Sequence, residues 1–369
     1  MSLDEYYLLG RSGLRVSRLS LGTMNFGTGG FHAAYGRTED EVRPILRRYL
    51  DAGGNFVDTA DFYTAGESES ILGGLIAETG ARDRIVLTTK VTNSVDPGDP
   101  NAGGNGRKHV IRAVEASLRR LRTDYLDLFL LHTWDRITPV EEVVRTFDDL
   151  TRAGKIRYAG LSDVPAWYAA HAQGVAEANS LAPMVALQLP YSLVDRTIEA
   201  EHVDAGRQLG IGITAWSPLA GGFLTGKYRD TGAGVTGEGR LTGDGTASPA
   251  WTDRQWRVLR VLEDVAGELG VSTAQVALNW VVTRPGVASA IVGASSAAQL
   301  DSSLVALDFE LPAELRAALD EASAEPPRSL YRMFTPDYQG WLVNAGVRLG
   351  DKPAGYHPDV RNWVTTGQS

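Results

Sequence analysis

Four side chains within the first 132 residues, Asp58, Tyr63, Lys90 and His132, are of the types that move a proton onto a carbonyl oxygen. Hydride addition to a carbonyl builds negative charge on oxygen, and a nearby acid must supply a proton. Unperturbed tyrosine, with a pKa of about 10, is a poor donor near neutrality. A neighbouring ammonium stabilises the phenolate and lowers that value, a role open to Lys90. Asp58 can hold Lys90 charged and in place, and His132 can bond and orient the substrate oxygen. Singly, each residue has an ordinary explanation. A strand-end lysine is usually solvated, a lone histidine is usually structural, and an aspartate often caps a turn. Their joint placement at three consecutive strand ends is what points to chemistry.

Those strand ends come from the pattern of the chain. Short β-rich runs fall at 19–25, 55–59, 85–90, 125–132, 157–162, 185–189, 212–216 and 290–293. Segments of helical period lie between them, as with Val110, Val114, Leu118 and Leu121. Gly53-Gly54 and Gly154 supply stop signals. Eight strands alternating with helices predict a closed α/β architecture, the (β/α)8 TIM barrel. An open dinucleotide-binding sheet would need G-x-G-x-x-G after the first strand, and none occurs there. Runs at 6–9 and 14–16 around the turn Gly10–Gly13 predict an N-terminal hairpin. The chain reads as one domain, with the barrel at about 18–307 and an extension at 308–369. From Pro326 the tail is aromatic (Tyr331, Phe334, Tyr338, Trp341) and is expected to be irregular. Two Gly-rich insertions, 92–106 and 229–249, would sit at the C-terminal face, where long loops shape a pocket.

Composition narrows the classes. The chain has 369 residues, and 36 basic against 45 acidic side chains give a net charge of −9. That balance disfavours broad binding to a nucleic-acid backbone. With no cysteine, disulfides, thiolate nucleophiles and Cys-ligated metal are excluded. The start lacks a signal-peptide pattern, and no apolar run approaches the roughly 18 residues of a spanning helix. No membrane association and a cytoplasmic location are therefore expected.

The segments Asp58-Thr-Ala-Asp-Phe-Tyr63, Leu87-Thr-Thr-Lys90 and Tyr125-Leu-Asp-Leu-Phe-Leu-Leu-His132 resemble the Asp, Tyr, Lys and His motifs of the aldo-keto reductases. The resemblance runs from about Leu8 to Leu307. It implies a (β/α)8 barrel with NADPH extended across its C-terminal face, no metal, and a small-molecule carbonyl substrate. By the same resemblance, Gly22, Thr23 and Met24 lie near the nicotinamide end. Ser162 and Gln188 hold the carboxamide, and Trp216 stacks on the ring. Asp163 stands where many relatives have Asn, and a carboxylate can accept from the amide but cannot donate to it. Ser217, Pro218, Leu219 and Gly221 resemble the pyrophosphate loop, with Lys227 near the adenosine phosphates. The stretch Gly221–Tyr228 nearly spells a P-loop, but Tyr228 cannot fill the Mg²⁺-binding Ser/Thr role. Gly293, Ser295, Ser296 and Gln299 match the adenosine segment. The Arg common near Ser296 is missing, so NADH use stays open beside NADPH.

A narrower resemblance, through Gly104–Lys108, Val114–Leu118, His132–Asp135 and Gly160–Trp167, is to the aryl-alcohol dehydrogenase branch. It implies aromatic aldehydes or ketones, with Phe26, Phe31, Trp134, Tyr191 and also Trp251 as pocket aromatics. Three alternatives stay open: a keto-sugar or other non-aromatic ketone as substrate, a non-catalytic cofactor-sensing subunit, and a sugar isomerase or lyase on the same fold.

Overall fold

The strands of this chain read as nearly continuous apolar runs, such as Leu126–Leu131, because both of their faces are buried. The computed structural model describes residues 3–232, 235–237, 239, 242, 251–326, 329–343 and 345–346, apart from the side chains of Phe31, His32 and Pro336. It opens with an antiparallel hairpin, β1 (Tyr6–Leu8) and β2 (Arg15–Ser17). Eight parallel strands then alternate with helices. They are β3 (Leu19–Gly22), α1 (Glu39–Asp51), β4 (Phe56–Asp58), α2 (Glu67–Thr79), β5 (Val86–Val91), α3 (Arg107–Leu121), β6 (Leu126–Leu131) and α4 (Val140–Arg152). The second half continues with β7 (Ile156–Ser162), α5 (Ala166–Ala178), β8 (Met184–Pro190), α6 (His202–Leu209) and β9 (Gly212–Trp216). A small hairpin, β10 (Arg229–Asp230) with β11 (Val235–Thr236), precedes α7 (Asp253–Leu269), α8 (Thr273–Val282), β12 (Val287–Val292), α9 (Ala297–Leu304) and α10 (Ala313–Ser323). β12 pairs with both β3 and β9, which closes the barrel and confirms the (β/α)8 expectation.

Strand alternation sorts the core into two layers. Along β6, Phe129 and Leu131 face the helices, while Leu128 and Leu130 fill the barrel interior. The interior cluster also takes Phe56, Val86, Val185, Ala186 and Ala288, with Val16 from the N-terminal hairpin and Leu9 from its turn. The hairpin therefore plugs the barrel, and its Arg11 N–H donates to the Gly210 carbonyl at 2.6 Å. Gly10 must be glycine there. Its φ is 59°, and a Cβ would stand 2.6 Å from the carbonyl oxygens of both Gly210 and Val185.

Helix boundaries follow their caps. Thr252 and Gln255 form a capping box at α7, as Ser272 and Gln275 do at α8. The aromatic tail is described at 329–343 and 345–346. There it forms a single 3₁₀ turn (Tyr331–Phe334) and a short helix α11 (Pro336–Leu342), which Pro336 starts at its first position. Within the second insertion, residues 233–234, 238, 240–241 and 243–249 lie outside the described residues. Among the described residues no helix is long and apolar enough to cross a membrane.

Candidate active site

Register brings the four expected residues to one end of the barrel. Asp58, the last residue of β4, pairs with Thr88 of β5, and Lys90 two positions on pairs with Leu130 of β6. Alternation makes Thr88 and Lys90 share a face. Lys90 is fully buried, and each of its three ammonium protons has an acceptor. Its Nζ donates to Asp58 Oδ1 at 2.5 Å, to the Thr59 carbonyl at 2.7 Å and to the Tyr63 hydroxyl at 3.2 Å. The second Asp58 oxygen accepts from Gln188 Nε2 at 2.8 Å. His132 follows β6, and its ring meets that of Tyr63 edge-on at 5.6 Å. Its Nδ1 lies 3.1 Å from Asn93 Nδ2. With the Asn93 amide donating, the histidine proton sits on Nε2, as a donor for a carbonyl oxygen needs.

The electrostatics differ from the sequence argument in one respect. Burial pushes Tyr63 up, and the Lys90 ammonium pulls it down without overcoming that rise. Lys90 feels burial as a downward force, but the Asp58 carboxylate and Tyr63 raise it above the ordinary lysine value. The pair is therefore an ammonium beside a protonated phenol. Asp61, on the same loop, is buried with both oxygens unpartnered. Burial and the Glu69 carboxylate push its pKa well above the usual carboxylate range.

The residues expected to hold a cofactor fall into three groups. Ser162 and Gln188 pair directly across β7 and β8, and Asp163 and Trp216 lie beside them. Gln188 must present its NH2 to Asp58, which only accepts, and this leaves its carbonyl oxygen as an acceptor. Together with the Asp163 carboxylate and the Ser162 hydroxyl, this gives two acceptors and a donor, the complement of a carboxamide. Trp216 is 37% exposed, leaving part of a large apolar ring open to a ligand. A nicotinamide head fits this donor set. Gly22 approaches β12 so closely that a Cβ would meet Ile291 Cγ2 at 2.7 Å. Thr23 is fully buried and braces Asp58, donating to its carbonyl from N at 2.9 Å and from Oγ1 at 3.0 Å. Met24 is half-buried.

The second group is the loop after β9. Ser217 and Gly221 have positive φ, and the Gly221 N–H donates back to Ser217 Oγ at 3.2 Å. Pro218 is buried, Leu219 half-buried, and Lys227 exposed with its Nζ 5.2 Å from the Tyr228 ring centre. The third group gathers at the N-terminus of α9. Gln299 Oε1 accepts from both the N–H and the hydroxyl of Ser295 at 2.7 Å, and Ser296 Oγ accepts from Gln299 N at 3.2 Å. Gly293 is exposed just before them. These residues cap the helix, whose N-terminus suits an anion.

The pocket aromatics divide. Trp134 packs edge-on against Trp167 at 5.3 Å and near Tyr168, forming a part-exposed cluster next to His132 in the chain. Phe26 is wholly buried. Tyr191 is 2% exposed, packs on Trp280, and bonds Glu199 and Arg284 through its hydroxyl. Both therefore belong to the packing. Trp251 stacks on Phe223 at 4.1 Å. The Phe31 side chain lies outside the described residues. Sequence reasoning missed Asn93, hidden in a Gly/Pro-rich insertion, and the Thr59 carbonyl, which has no side-chain signature.

Comparison with known proteins agrees with this geometry. A sequence profile described as Aldo/keto reductase family matches residues 18–324. An uncharacterized oxidoreductase of Bacillus subtilis is 38% identical over 91% of this chain and 100% of its own length. A protein of Schizosaccharomyces pombe named as a voltage-gated potassium channel subunit beta is 35% identical over 86% of this chain and 92% of its own. An aryl-alcohol dehydrogenase of Pestalotiopsis microspora is 32% identical over 85% of this chain and 80% of its own. With the closed barrel and the tetrad at one end of it, these matches mean that the chain is an oxidoreductase and belongs to the aldo/keto reductase family.

Proposed function

We propose that this oxidoreductase reversibly reduces an aldehyde or ketone to the alcohol with NADPH, with Tyr63 as the proton donor. The observation that carries the reading is the Lys90 ammonium bonded at once to Asp58, the Thr59 carbonyl and the Tyr63 hydroxyl. When bound, a reduced nicotinamide would supply the hydride for the carbonyl carbon. His132 Nε2 orients the carbonyl oxygen. Tyr63 gives that oxygen its proton, and Lys90 stabilises the tyrosinate left behind. Asp58 keeps Lys90 charged, and Gln188 and Thr23 fix Asp58. Ser162, Asp163 and Gln188 would hold the carboxamide, with Trp216 against the ring. The loop from Ser217 to Gly221, and Lys227 with Gly293, Ser295, Ser296 and Gln299, would hold the phosphates and adenosine.

An aryl aldehyde or ketone is the favoured substrate class. The Trp134–Trp167 cluster beside His132 and the similarity to an aryl-alcohol dehydrogenase support it. The test is NADPH oxidation across aryl aldehydes, aliphatic ketones and keto-sugars. Turnover confined to keto-sugars would overturn the aryl assignment. Turnover of nothing, with tight NADPH binding, would favour a non-catalytic cofactor-sensing subunit.

The choice of NADPH over NADH is expected to run through Lys227, an exposed cation beside the expected phosphate segment. Lys227→Ala should raise the Kd for NADPH about tenfold and that for NADH no more than about twofold, the loss of one charge-assisted phosphate contact. Equal losses measured by fluorescence titration would move Lys227 to the pyrophosphate.

A further inference from the structure

We propose that the Asp163 carboxylate sets which redox state of the cofactor the site prefers, by standing as a counter-charge to the oxidised, cationic nicotinamide while it holds Trp216. The proposal rests on the nicotinamide reading of Ser162, Asp163, Gln188 and Trp216 given above.

Asp163 is fixed from three sides. Its N–H donates to the Gln188 carbonyl at 3.2 Å, and its carbonyl accepts from Trp134 N at 3.4 Å and Thr133 Oγ1 at 3.3 Å. Its Oδ1 accepts from Trp216 Nε1 at 2.9 Å. The backbone φ is 45°, a left-handed conformation that Asp tolerates better than most side chains. The ends of β7, β8 and β9 and the loop after β6 thus lock this carboxylate among the groups that complement a carboxamide. An asparagine at this position would bond the carboxamide of either redox form alike. A carboxylate does more, because the oxidised ring carries a positive charge that the reduced ring lacks. Only such a difference in interaction can shift a preference between two forms.

The surrounding charges allow it. Lys90 of β5 faces Asp163, but its ammonium is already matched by Asp58. Tyr63 is a protonated phenol, and His132 follows β6 with its Nδ1 3.1 Å from Asn93 Nδ2. From β8 and β9 the facing groups are Gln188 and Trp216, which carry no charge. His202 of α6 bonds the neighbouring Val164 carbonyl. Burial pushes the Asp163 carboxyl up to about 6, moderated by the Trp216 bond and Lys90. The carboxylate therefore exists above about pH 6 and is neutralised below it. The preference for the oxidised form should be present at pH 8 and fade towards pH 5.

The experiment measures Kd for NADP⁺ and NADPH by Trp fluorescence, at pH 8 and pH 5, for the wild type and Asp163→Asn. The 2′-phosphate is common to both ligands, so its own titration cancels in the ratio. In the wild type, Kd(NADPH)/Kd(NADP⁺) should fall about fivefold from pH 8 to pH 5, the scale of one partly exposed charge pair. In Asp163→Asn the ratio should be the same at both pH values and about fivefold below the wild type at pH 8, through weaker NADP⁺ binding. A pH-independent wild-type ratio would overturn the proposal even if the variant failed to fold. So would equal weakening of both cofactors in the variant, which would make Asp163 a structural brace only. Failure of the wild type to bind either cofactor would overturn the nicotinamide reading itself, and the proposal with it.

Discussion

Tyr63→Phe should lower kcat for carbonyl reduction by about 10³-fold while leaving the Kd for NADPH within about twofold. The phenylalanine keeps the ring that meets His132 edge-on and loses only the hydroxyl that Lys90 bonds. That hydroxyl is the proton source in the proposed step, and it is not among the groups assigned to the cofactor. Burial sets its pKa above the ordinary tyrosine value despite the Lys90 ammonium. The acid is then protonated across the neutral range, and reduction needs the protonated form. Wild-type kcat for reduction should therefore stay flat as pH rises through 8 and fall only as Tyr63 ionises. Alcohol oxidation needs the tyrosinate as base, so its rate should climb over the same range. Steady-state rates in both directions from pH 6 to 10 test the sign. A variant retaining more than about a tenth of wild-type kcat would remove Tyr63 from the chemistry.

The barrel was legible because parallel strands buried on both faces leave short apolar runs at regular spacing. All eight runs are strands. Their ends were less legible. The run at 19–25 stops as a strand at Gly22, where Thr23 turns to donate to the Asp58 carbonyl. The last strand begins earlier, at Val287, because Ala288 and Ser289 are small residues that look like loop. The tetrad was readable as four residue types at strand ends, but its direction of tuning was not. Sequence proximity suggests that Lys90 lowers the tyrosine pKa, whereas the depth of the site decides the net sign. Aromatic positions were the least legible. Nothing in the sequence distinguishes Trp134, part-exposed in its cluster, from Tyr191, whose hydroxyl is engaged by Glu199 and Arg284. Asn93 reaches His132 because it follows β5 just as His132 follows the neighbouring β6, a juxtaposition that only the strand pairing reveals.

Lys90→Met should remove activity and also destabilise the fold by about 3–5 kcal/mol, the usual result of deleting one partner of a buried ion pair. The lysine is fully buried, Asp58 is nearly so, and the pair distance is 2.5 Å. In the variant the Asp58 carboxylate keeps Gln188 as a partner but faces an apolar side chain where the ammonium was. Its folded-state pKa must then rise above the ordinary unfolded value of about 4. A carboxyl raised in the folded state costs nothing while it is protonated in both states. The cost appears as pH climbs past the unfolded value and is complete above the folded one. Urea unfolding should therefore show the full loss at pH 8 and a smaller loss at pH 5. Adding Asp58→Asn removes the stranded charge, so the double variant should recover at least about half of the lost stability at pH 8. It should recover no turnover, because the ammonium that stabilises the tyrosinate is still missing. Additive losses in the two single variants would mean that the pair is not coupled, and the charge balance proposed for this site would fail. Recovery of stability without recovery of rate would separate what Lys90 does for the fold from what it does for the proton on Tyr63.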